Sequence, residues 1–200
     1  MRKNYVLIDF ENIQPESVDA LAEEPFHVIV FIGANQRKVP FDIVRSLQRM
    51  GERAEYVQIN GNGPNALDFH IAFYIGKLAG ADSTAYFHII SRDAGFDPLI
   101  EHLKKSKIYA CRRADISDIP LVKANDRNKL DAHLEAFVQK LREGRLPKPR
   151  TTKTLSNAIA AWFHKQLGDN DIASLVTGLE ANGYIKITKG KVSYTLSNVE

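Results

Sequence analysis

Residues 85–100 read AYFHIISRDAGFDPLI, an apolar run that leads directly into an acid, a glycine turn and a second acid. The run has the length and composition of a buried strand, and Asp93 and Asp97 follow its end. The chain begins in the same way, because the apolar residues 5–8 lead into Asp9. In an open α/β sheet, the carboxyl ends of parallel strands lie side by side at one edge. We therefore expect these acids to converge, although they are far apart in sequence.

A third acid, Asp68, is expected at the same edge. It lies at the start of a helical stretch, residues 65–76, which follows the turn-rich residues 60–64. Apolar residues recur in this stretch at helical spacing and leave Asp68 on a neighbouring face, so its carboxylate can point out of the core. Clustered carboxylates repel one another unless a divalent cation holds them. The acids therefore predict a Mg²⁺ or Mn²⁺ site with oxygen ligands.

Three motifs in this order resemble those of the PIN-like nucleases, and in particular those of the NYN subgroup. They are Asp9 with Asn12, the sequence Asn-Ala-Leu-Asp that ends at Asp68, and the sequence Ser-Arg-Asp-x-Gly-Phe-Asp-Pro-Leu-Ile from Ser91. The resemblance covers roughly the first three-quarters of the chain. It implies a Rossmann-like sheet and metal-dependent hydrolysis of RNA, as in an endoribonuclease, with Asp9, Asp68 and Asp93 as the metal ligands. In this comparison the amide of Asn12 orients a ligand or a water.

One position departs from the NYN pattern. Many of those proteins have a second acid where this chain has Gly95. Asp97, two residues later, either supplies the missing carboxylate as a metal ligand or is only a helix-start residue, and the sequence leaves both open. The missing acid also leaves a non-catalytic alternative, in which a PIN-like fold binds RNA or a partner protein without turnover.

Other classes of α/β enzyme fit the sequence less well. Phosphotransferases of the haloacid dehalogenase type need two aspartates, two residues apart, after the first strand, and here the second position is Glu11, which we expect at the surface. The turn at residues 61–64 lacks the lysine of a phosphate-binding loop. Cys111 is the only cysteine in the sequence, which excludes an internal disulfide and a cysteine-ligated zinc site.

The composition is that of a soluble globular protein, with 44% hydrophobic and 26% charged residues. The sequence opens on a strand pattern rather than on a charged segment followed by an apolar signal sequence. It also contains no apolar run of the ~20 residues that a membrane-spanning helix needs. These features predict a cytoplasmic protein without a membrane partner.

Strands and helices alternate through residues 1–142, which predicts a parallel sheet with helices on both faces. The predicted strands are residues 5–9, 26–32, 54–59, 85–90 and 107–111. The predicted helices are residues 15–22, 40–50, 65–76 and 97–105. A long amphipathic helix at residues 126–142 closes this first domain.

The remainder of the chain differs in kind. Residues 143–153 predict a basic linker, because they contain two prolines and four positive charges but no helical periodicity. Residues 154–200 predict a small α+β domain that resembles a minimal winged-helix module. Its predicted elements are helices at residues 155–167 and 169–182 and a hairpin at residues 184–187 and 192–196.

The surplus of positive charge lies at the C-terminal end. The net charge is +3, and the residues from Glu143 onward contain eight Lys or Arg against five Asp or Glu. Contacts to phosphates supply most of the nonspecific affinity for nucleic acids, so we expect RNA or single-stranded DNA to bind this region. The alternative is that the module packs against another protein or a second copy of the chain. The expected phosphate contacts are Lys148, Arg150, Lys153, Lys186, Lys189 and Lys191.

Overall fold

The computed structural model describes residues 2–23 and 25–196. Contacts within the chain divide it into two compact units, Met1–Lys123 and Ala124–Glu200. None of the described helices is both long enough and apolar enough to cross a membrane.

In the described part of the first unit, five strands form one parallel sheet in the order β3-β2-β1-β4-β5. The strands are β1 (Asn4–Asp9), β2 (Phe26–Ile32), β3 (Ala54–Gln58), β4 (Tyr86–Ile90) and β5 (Tyr109–Arg113). The helices between them are α1 (Phe41–Arg49), α2 (Ala66–Ala81) and α3 (Asp97–Lys105). The predicted class, a Rossmann-like parallel sheet flanked by helices, is confirmed.

Both faces of the sheet are covered, because its central strands are apolar on both sides. In β1, Val6 and Ile8 pack in one core cluster with Ile43 and Leu47 of α1. Leu7 points to the opposite face and packs in a second cluster with residues of α2. Continuous apolar strands are typical of parallel sheets that are buried on both faces.

The carboxyl ends of β1 and β4 meet where the strand order reverses. The chain passes from β1 outward to β3 on one side and then crosses to β4 and β5 on the other. Ile8 of β1 pairs with Ile90 of β4, so Asp9 at the end of β1 lies beside Ser91, the residue after β4. α/β proteins bind ligands in the crevice that such a reversal leaves outside the strand ends.

The second unit is a small α+β assembly. Its described part contains most of α4 (Pro120–Arg142), together with α5 (Thr152–Trp162), α6 (Asp169–Ala181) and an antiparallel hairpin of β6 (Ile185–Thr188) and β7 (Lys191–Tyr194). Thr151 and Thr154 form a capping box at the start of α5. The helices and the hairpin share one hydrophobic core, which matches the predicted α+β class.

Most predicted elements form with ends shifted by a few residues, but the helix predicted at residues 15–22 is wrong. Only a short 3-10 helix, Asp19–Leu21, forms there. Ser17 explains the difference, because its hydroxyl accepts a hydrogen bond from the backbone N–H of Asp19 and donates one to the Asp19 carboxylate, each at 3.0 Å. This local turn competes with helix formation.

The long helix begins at Pro120 rather than at residue 126, and its C-terminal part belongs to the second core. The domain limits at residues 142 and 153 stay predictions, whereas the contacts separate the two units between Lys123 and Ala124. The apolar stripe of the helix explains this, because it packs among the buried residues of α5 and α6. The stripe residues in that core are Leu134, Phe137, Val138 and Leu141.

The C-terminal end of the predicted linker pairs with the hairpin. The backbone N–H of Val192 donates to the carbonyl of Arg150 at 2.9 Å, and the N–H of Thr152 donates to the carbonyl of Gly190 at 3.1 Å. Thr151 forms an isolated antiparallel bridge with Lys191. Residues 150–152 are therefore an ordered part of the second unit.

The shared core predicts which fragments of the second unit fold. We expect an isolated fragment of residues 124–200 to unfold cooperatively, because it keeps the four buried stripe residues of α4. A fragment of residues 154–200 should not unfold cooperatively, because it lacks these four residues. Burying one such side chain contributes about 1.5 to 3 kcal/mol to the free energy of unfolding. Thermal unfolding followed by circular dichroism measures both. Equal cooperative transitions would show that α4 is dispensable to this core.

Candidate functional site

One buried serine connects the two acids at the ends of β1 and β4. The hydroxyl of Ser91 donates to Oδ2 of Asp9 at 2.8 Å and accepts from the backbone N–H of Asp93 at 3.1 Å. Ser91 is fully buried and Asp9 is only 4% exposed. The carboxylate of Asp9 is therefore fixed, and the loop that carries Asp93 is held beside it.

Asn12 ties the same two loops together. Its backbone N–H donates to Oδ1 of Asp9 at 3.1 Å, and its side-chain carbonyl accepts from the backbone N–H of Arg92 at 2.9 Å. The oxygen of the Asn12 amide is thus engaged in positioning the loop after β4. Its predicted role in orienting a ligand or a water stays a prediction.

The glycine that departs from the NYN pattern contacts Asp93. The backbone N–H of Gly95 donates to Oδ1 of Asp93 at 2.7 Å, which fixes one oxygen of a side chain that is otherwise exposed. This is the bond of an acid that caps a short helical turn, here the 3-10 helix Ala94–Phe96. Asp93 therefore has a structural contact in addition to its expected chemical role.

Asp68 reaches the other two acids from the first turn of α2. Asn65 precedes the helix in the left-handed conformation, with φ of 61°, and Asp68 is half-buried. The three acids line one cavity of about 210 Å³. The other residues that line it are Glu11, Asn12, Gly63, Asn65, Ala66 and Leu67. The structure thus brings Asp9, Asp68, Asp93 and Asn12 together, as expected.

Glu11 is the residue of this cavity that the sequence did not indicate. Its side chain lies against Gly33, the residue after β2, where a Cβ atom would overlap the Glu11 carboxylate. A glycine directly after a buried strand is the signal that could have shown it, because the glycine leaves room for a neighbouring side chain. Glu11 adds a fourth carboxylate to the cavity.

Burial and repulsion disfavour the charged forms of Asp9 and Asp68. Burial raises the pKa of Asp9 above its ordinary value, although the hydrogen bonds from Ser91 and Asn12 lower it, and the charge of Asp93 raises it further. Burial also raises the pKa of Asp68, and the charges of Asp9, Asp93 and Glu11 add to this increase. A cation in the cavity would relieve this repulsion.

The oxygen donors suit a hard divalent cation, but they do not surround a common point. Among the described residues, every ionisable side chain that lines the cavity is a carboxylate. Carboxylate oxygens are the ligands that Mg²⁺ and Mn²⁺ prefer. However, no group of three or more His, Cys, Asp or Glu side chains in residues 2–23 and 25–196 is arranged to hold a metal ion.

Asp97 does not join the other acids. Its carboxylate forms a two-point ion pair with Arg112, in which Nε lies 2.8 Å from Oδ1 and Nη2 lies 3.0 Å from Oδ2. The hydrogen bonds from Arg112 lower the pKa of Asp97. Asp97 is also absent from the cavity lining. Both of its oxygens are therefore occupied in this arrangement, and its role as a ligand stays a prediction.

The basic residues predicted to contact phosphates all lie in the second unit, and all are exposed. Ile185 and Val192 of the hairpin face the core, so the alternating Lys186 and Lys191 share its outer face. Lys189 lies in the turn between the strands, with φ of 50°. Lys148, Arg150 and Lys153 precede or begin α5.

Comparison with known proteins identifies one family. The family model described as PIN domain matches residues 3–114, which is more than half of the chain and includes the whole parallel sheet. The match spans every residue that lines the carboxylate cavity. No curated protein and no solved structure matches the chain.

The raised pKa of Asp68 gives stability a defined pH dependence. The folded protein binds this proton more tightly than the unfolded chain does, so stability is lost as the pH rises from the ordinary aspartate value, about 3.9, through the higher folded-state pKa. We expect Asp68→Asn to raise Tm at about pH 7 without divalent cations. At about pH 3 the carboxyl is protonated in both states, so the variant should then match the parent protein.

Asp97→Asn is the matched control for this measurement. The pKa of Asp97 is lowered by Arg112, so its charge stabilises the folded state at neutral pH. Its replacement should lower Tm at about pH 7, which is the opposite sign. Thermal unfolding of both variants across this pH range decides the point. A lower Tm for Asp68→Asn at neutral pH would contradict repulsion in the cavity.

Proposed function

This chain belongs to the PIN domain family, and we propose that it is a Mg²⁺- or Mn²⁺-dependent endoribonuclease. Membership in the family supports a nuclease function in general. The metal, the RNA substrate, the NYN subgroup and the winged-helix character of the second unit are parts of the proposal.

The cavity with four carboxylates is the observation that carries this proposal. Asp9, Asp68, Asp93 and Glu11 line one small crevice at the sheet edge, and the first three come from separate segments. Their like charges repel one another, and burial adds to the cost of ionising Asp9 and Asp68. A fold that only needed stability would avoid this arrangement, so the cost indicates a function.

The chain's own residues position the acids for this function. Ser91 and Asn12 fix Asp9 through two hydrogen bonds and hold the loop of Asp93 beside it. A bound Mg²⁺ or Mn²⁺ would lower the pKa of a water and neutralise charge on the phosphoryl group. No side-chain nucleophile is needed, because water is the attacking group.

The acids differ in their freedom to adjust to a cation. Asp9 is buried and fixed, whereas Asp68 is half-buried and Asp93 is exposed. We assign Asp9 as the fixed ligand and Asp68 as a ligand that would turn toward the ion, because the described side chains do not surround one point. Asp93 would bind through Oδ2, because the N–H of Gly95 already holds its Oδ1. We assign Glu11 to bind the ion directly or through a water, because it lines the same cavity.

The second unit contributes the positive charge that the cavity lacks. Six of its exposed basic residues, the ones predicted from the sequence, provide phosphate contacts, while the cavity provides carboxylates. Basic residues in one unit and carboxylates in the other suit a polyanionic substrate, since phosphate contacts supply affinity without sequence preference. We assign this unit to RNA binding and the first unit to cleavage.

A second candidate is a PIN-domain protein that binds RNA without cleaving it. This candidate is favoured by one observation: among the described residues, no three His, Cys, Asp or Glu side chains are arranged to hold a metal ion. Mn²⁺ distinguishes the two, because a cation that binds only the folded protein must raise its Tm. A Tm unaffected by Mn²⁺, together with intact RNA binding, would support the non-catalytic protein.

The central test replaces each acid without changing its shape. We expect Asp9→Asn, Asp68→Asn and Asp93→Asn each to reduce cleavage of labelled RNA at least about 100-fold. The reason is that losing a residue that only hydrogen-bonds to a metal ligand already lowers activity or metal affinity ~10- to 100-fold. Cleavage should need Mg²⁺ or Mn²⁺ and stop with EDTA, and Zn²⁺ should replace them poorly. Gel analysis of products, with circular dichroism as the test of folding, measures this.

Asp97→Asn is the matched control for these replacements. If Asp97 serves only its ion pair with Arg112, this variant should keep most of the activity. A loss equal to that of Asp93→Asn would make Asp97 a ligand. Cleavage that survives thorough chelation, or near-normal rates in all three acid variants, would reject the proposed site.

The basic residues of the hairpin predict a change in salt dependence. In an Asp93→Asn background, which prevents cleavage, we expect the triple replacement of Lys186, Lys189 and Lys191 by Gln to weaken RNA binding. Each phosphate contact on a single strand contributes about 0.7 to the slope of log K against log salt, so the slope should become shallower by about 2. Fluorescence anisotropy at several salt concentrations measures the slope.

A charge-matched control uses three exposed lysines in the C-terminal halves of α2 and α3: Lys77, Lys104 and Lys105. Their replacement by Gln changes the net charge by the same amount but should leave the slope nearly unchanged. Equal effects of the two triple variants would show a general effect of charge. No effect of the hairpin variant would assign the second unit to a protein partner or a second copy of the chain.

A further inference from the structure

A larger cavity lies beside the carboxylate cavity, at the carboxyl ends of β2 and β3. It has a volume of about 700 Å³, against about 210 Å³ for the carboxylate cavity. This size falls within the ~300 to 1,000 Å³ of cavities that hold organic ligands. We propose that it is a nucleotide subsite, which binds the nucleotide next to the phosphodiester held at the acids. This inference rests on the proposed ribonuclease function.

Two structural links make the cavities neighbours along one groove. The loop at residues 60–65 borders both, because Asn60 and Gly61 line the larger cavity and Gly63 and Asn65 line the smaller one. The side-chain NH₂ of Gln36, which lines the larger cavity, donates at 3.5 Å to the carbonyl of Phe10, the residue between Asp9 and Glu11. An RNA strand that crosses the carboxyl ends of the β-strands would therefore contact both cavities.

The lining of the larger cavity has the chemistry of a nucleotide site. Its apolar lining consists of Ala34 and Val39, which are half-buried, and of small exposed parts of the buried Ile32 and Ile59, and a flat base could lie against it. Asn60 is an exposed carboxamide, and carboxamides hydrogen-bond to base edges. Gln58 is also exposed, but its NH₂ is bonded within the loop, so it offers its carbonyl oxygen as an acceptor. These apolar and amide groups together suit a ring system that is apolar on its faces and polar at its edge.

Arg37 supplies the charge for a phosphate. It is exposed, and it is the one ionisable side chain among the described residues that line this cavity. The smaller cavity has the opposite character, because all its ionisable groups are carboxylates. Arg37 is therefore placed to bind the phosphate of the bound nucleotide while the acids act on the neighbouring one.

The geometry of the loop after β2 keeps this cavity open. The NH₂ of Gln58 donates to the carbonyls of Ala34 and Gln36, each at 3.4 Å, which holds the loop to the end of β3. The backbone N–H of Ile59 donates to the carbonyl of Ile32 at 2.9 Å. The cavity is thus bordered by fixed backbone on two sides, so a ligand need not order these segments.

Photocrosslinking locates the base directly. The probe is an eight-nucleotide oligouridylate with one 4-thiouridine, bound to the full-length Asp93→Asn protein and then irradiated. We expect the crosslinked peptides, identified by mass spectrometry, to contain residues 32–39 or 58–61. Crosslinks confined to other parts of the chain, with the RNA still bound, would reject the subsite and leave the proposed function standing. No binding of RNA at all would reject both.

Arg37→Gln tests the phosphate contact independently. Arg37 is exposed, so the variant should fold, and it should weaken binding of the same oligonucleotide severalfold and make its salt slope shallower by about 0.7. Arg49→Gln is the matched control, because Arg49 is exposed on α1 and does not line the cavity. An Arg37→Gln slope equal to that of the control would remove Arg37 from the site.

Discussion

The parallel pairing of β1 with β4 is the constraint on which the site depends. The register that places Ile8 opposite Ile90 sets Asp9 beside Ser91, and the buried hydroxyl of Ser91 then connects the two strand ends. A shift of one residue would turn the alternating side chains to the opposite faces of the sheet and remove this contact. The core clusters on both faces oppose such a shift, so the apolar core fixes the position of the carboxylates.

The sequence predicts the buried strands well and the contacts between distant segments poorly. β2 has its predicted bounds, because an uninterrupted apolar run leaves little choice once both faces are buried. The helix expected at residues 15–22 failed, because the bonds of Ser17 to Asp19 are local side-chain effects that periodicity does not detect. The convergence of Asp9 and Asp93 was predictable because the fold class alone brings such strand ends together. Asp68 was predictable because it lies in the first turn of the helix that follows β3.

Other parts of the site depend on pairings that one sequence does not reveal. Arg112 reaches Asp97 because β5 pairs with β4, and nothing near Asp97 in the sequence indicates that partner. Glu11 enters the cavity because Gly33, directly after the neighbouring strand β2, leaves it room. The boundary between the two units, which falls within α4, could not be predicted from the sequence either. An amphipathic stripe shows that a helix is buried on one side, but it does not show which core the helix joins.

Gly95 determines how substitutions in the loop after β4 combine. Its N–H holds Asp93 at 2.7 Å, and a Cβ atom added at this position would lie only 3.1 Å from Oδ1 of that aspartate. An acidic residue at this position would therefore press on the Asp93 carboxylate as well as add a charge beside it, and Asp93 would have to shift slightly to make room. The effects of substitutions at positions 93 and 95 are therefore expected to be non-additive, because each residue sets the surroundings of the other.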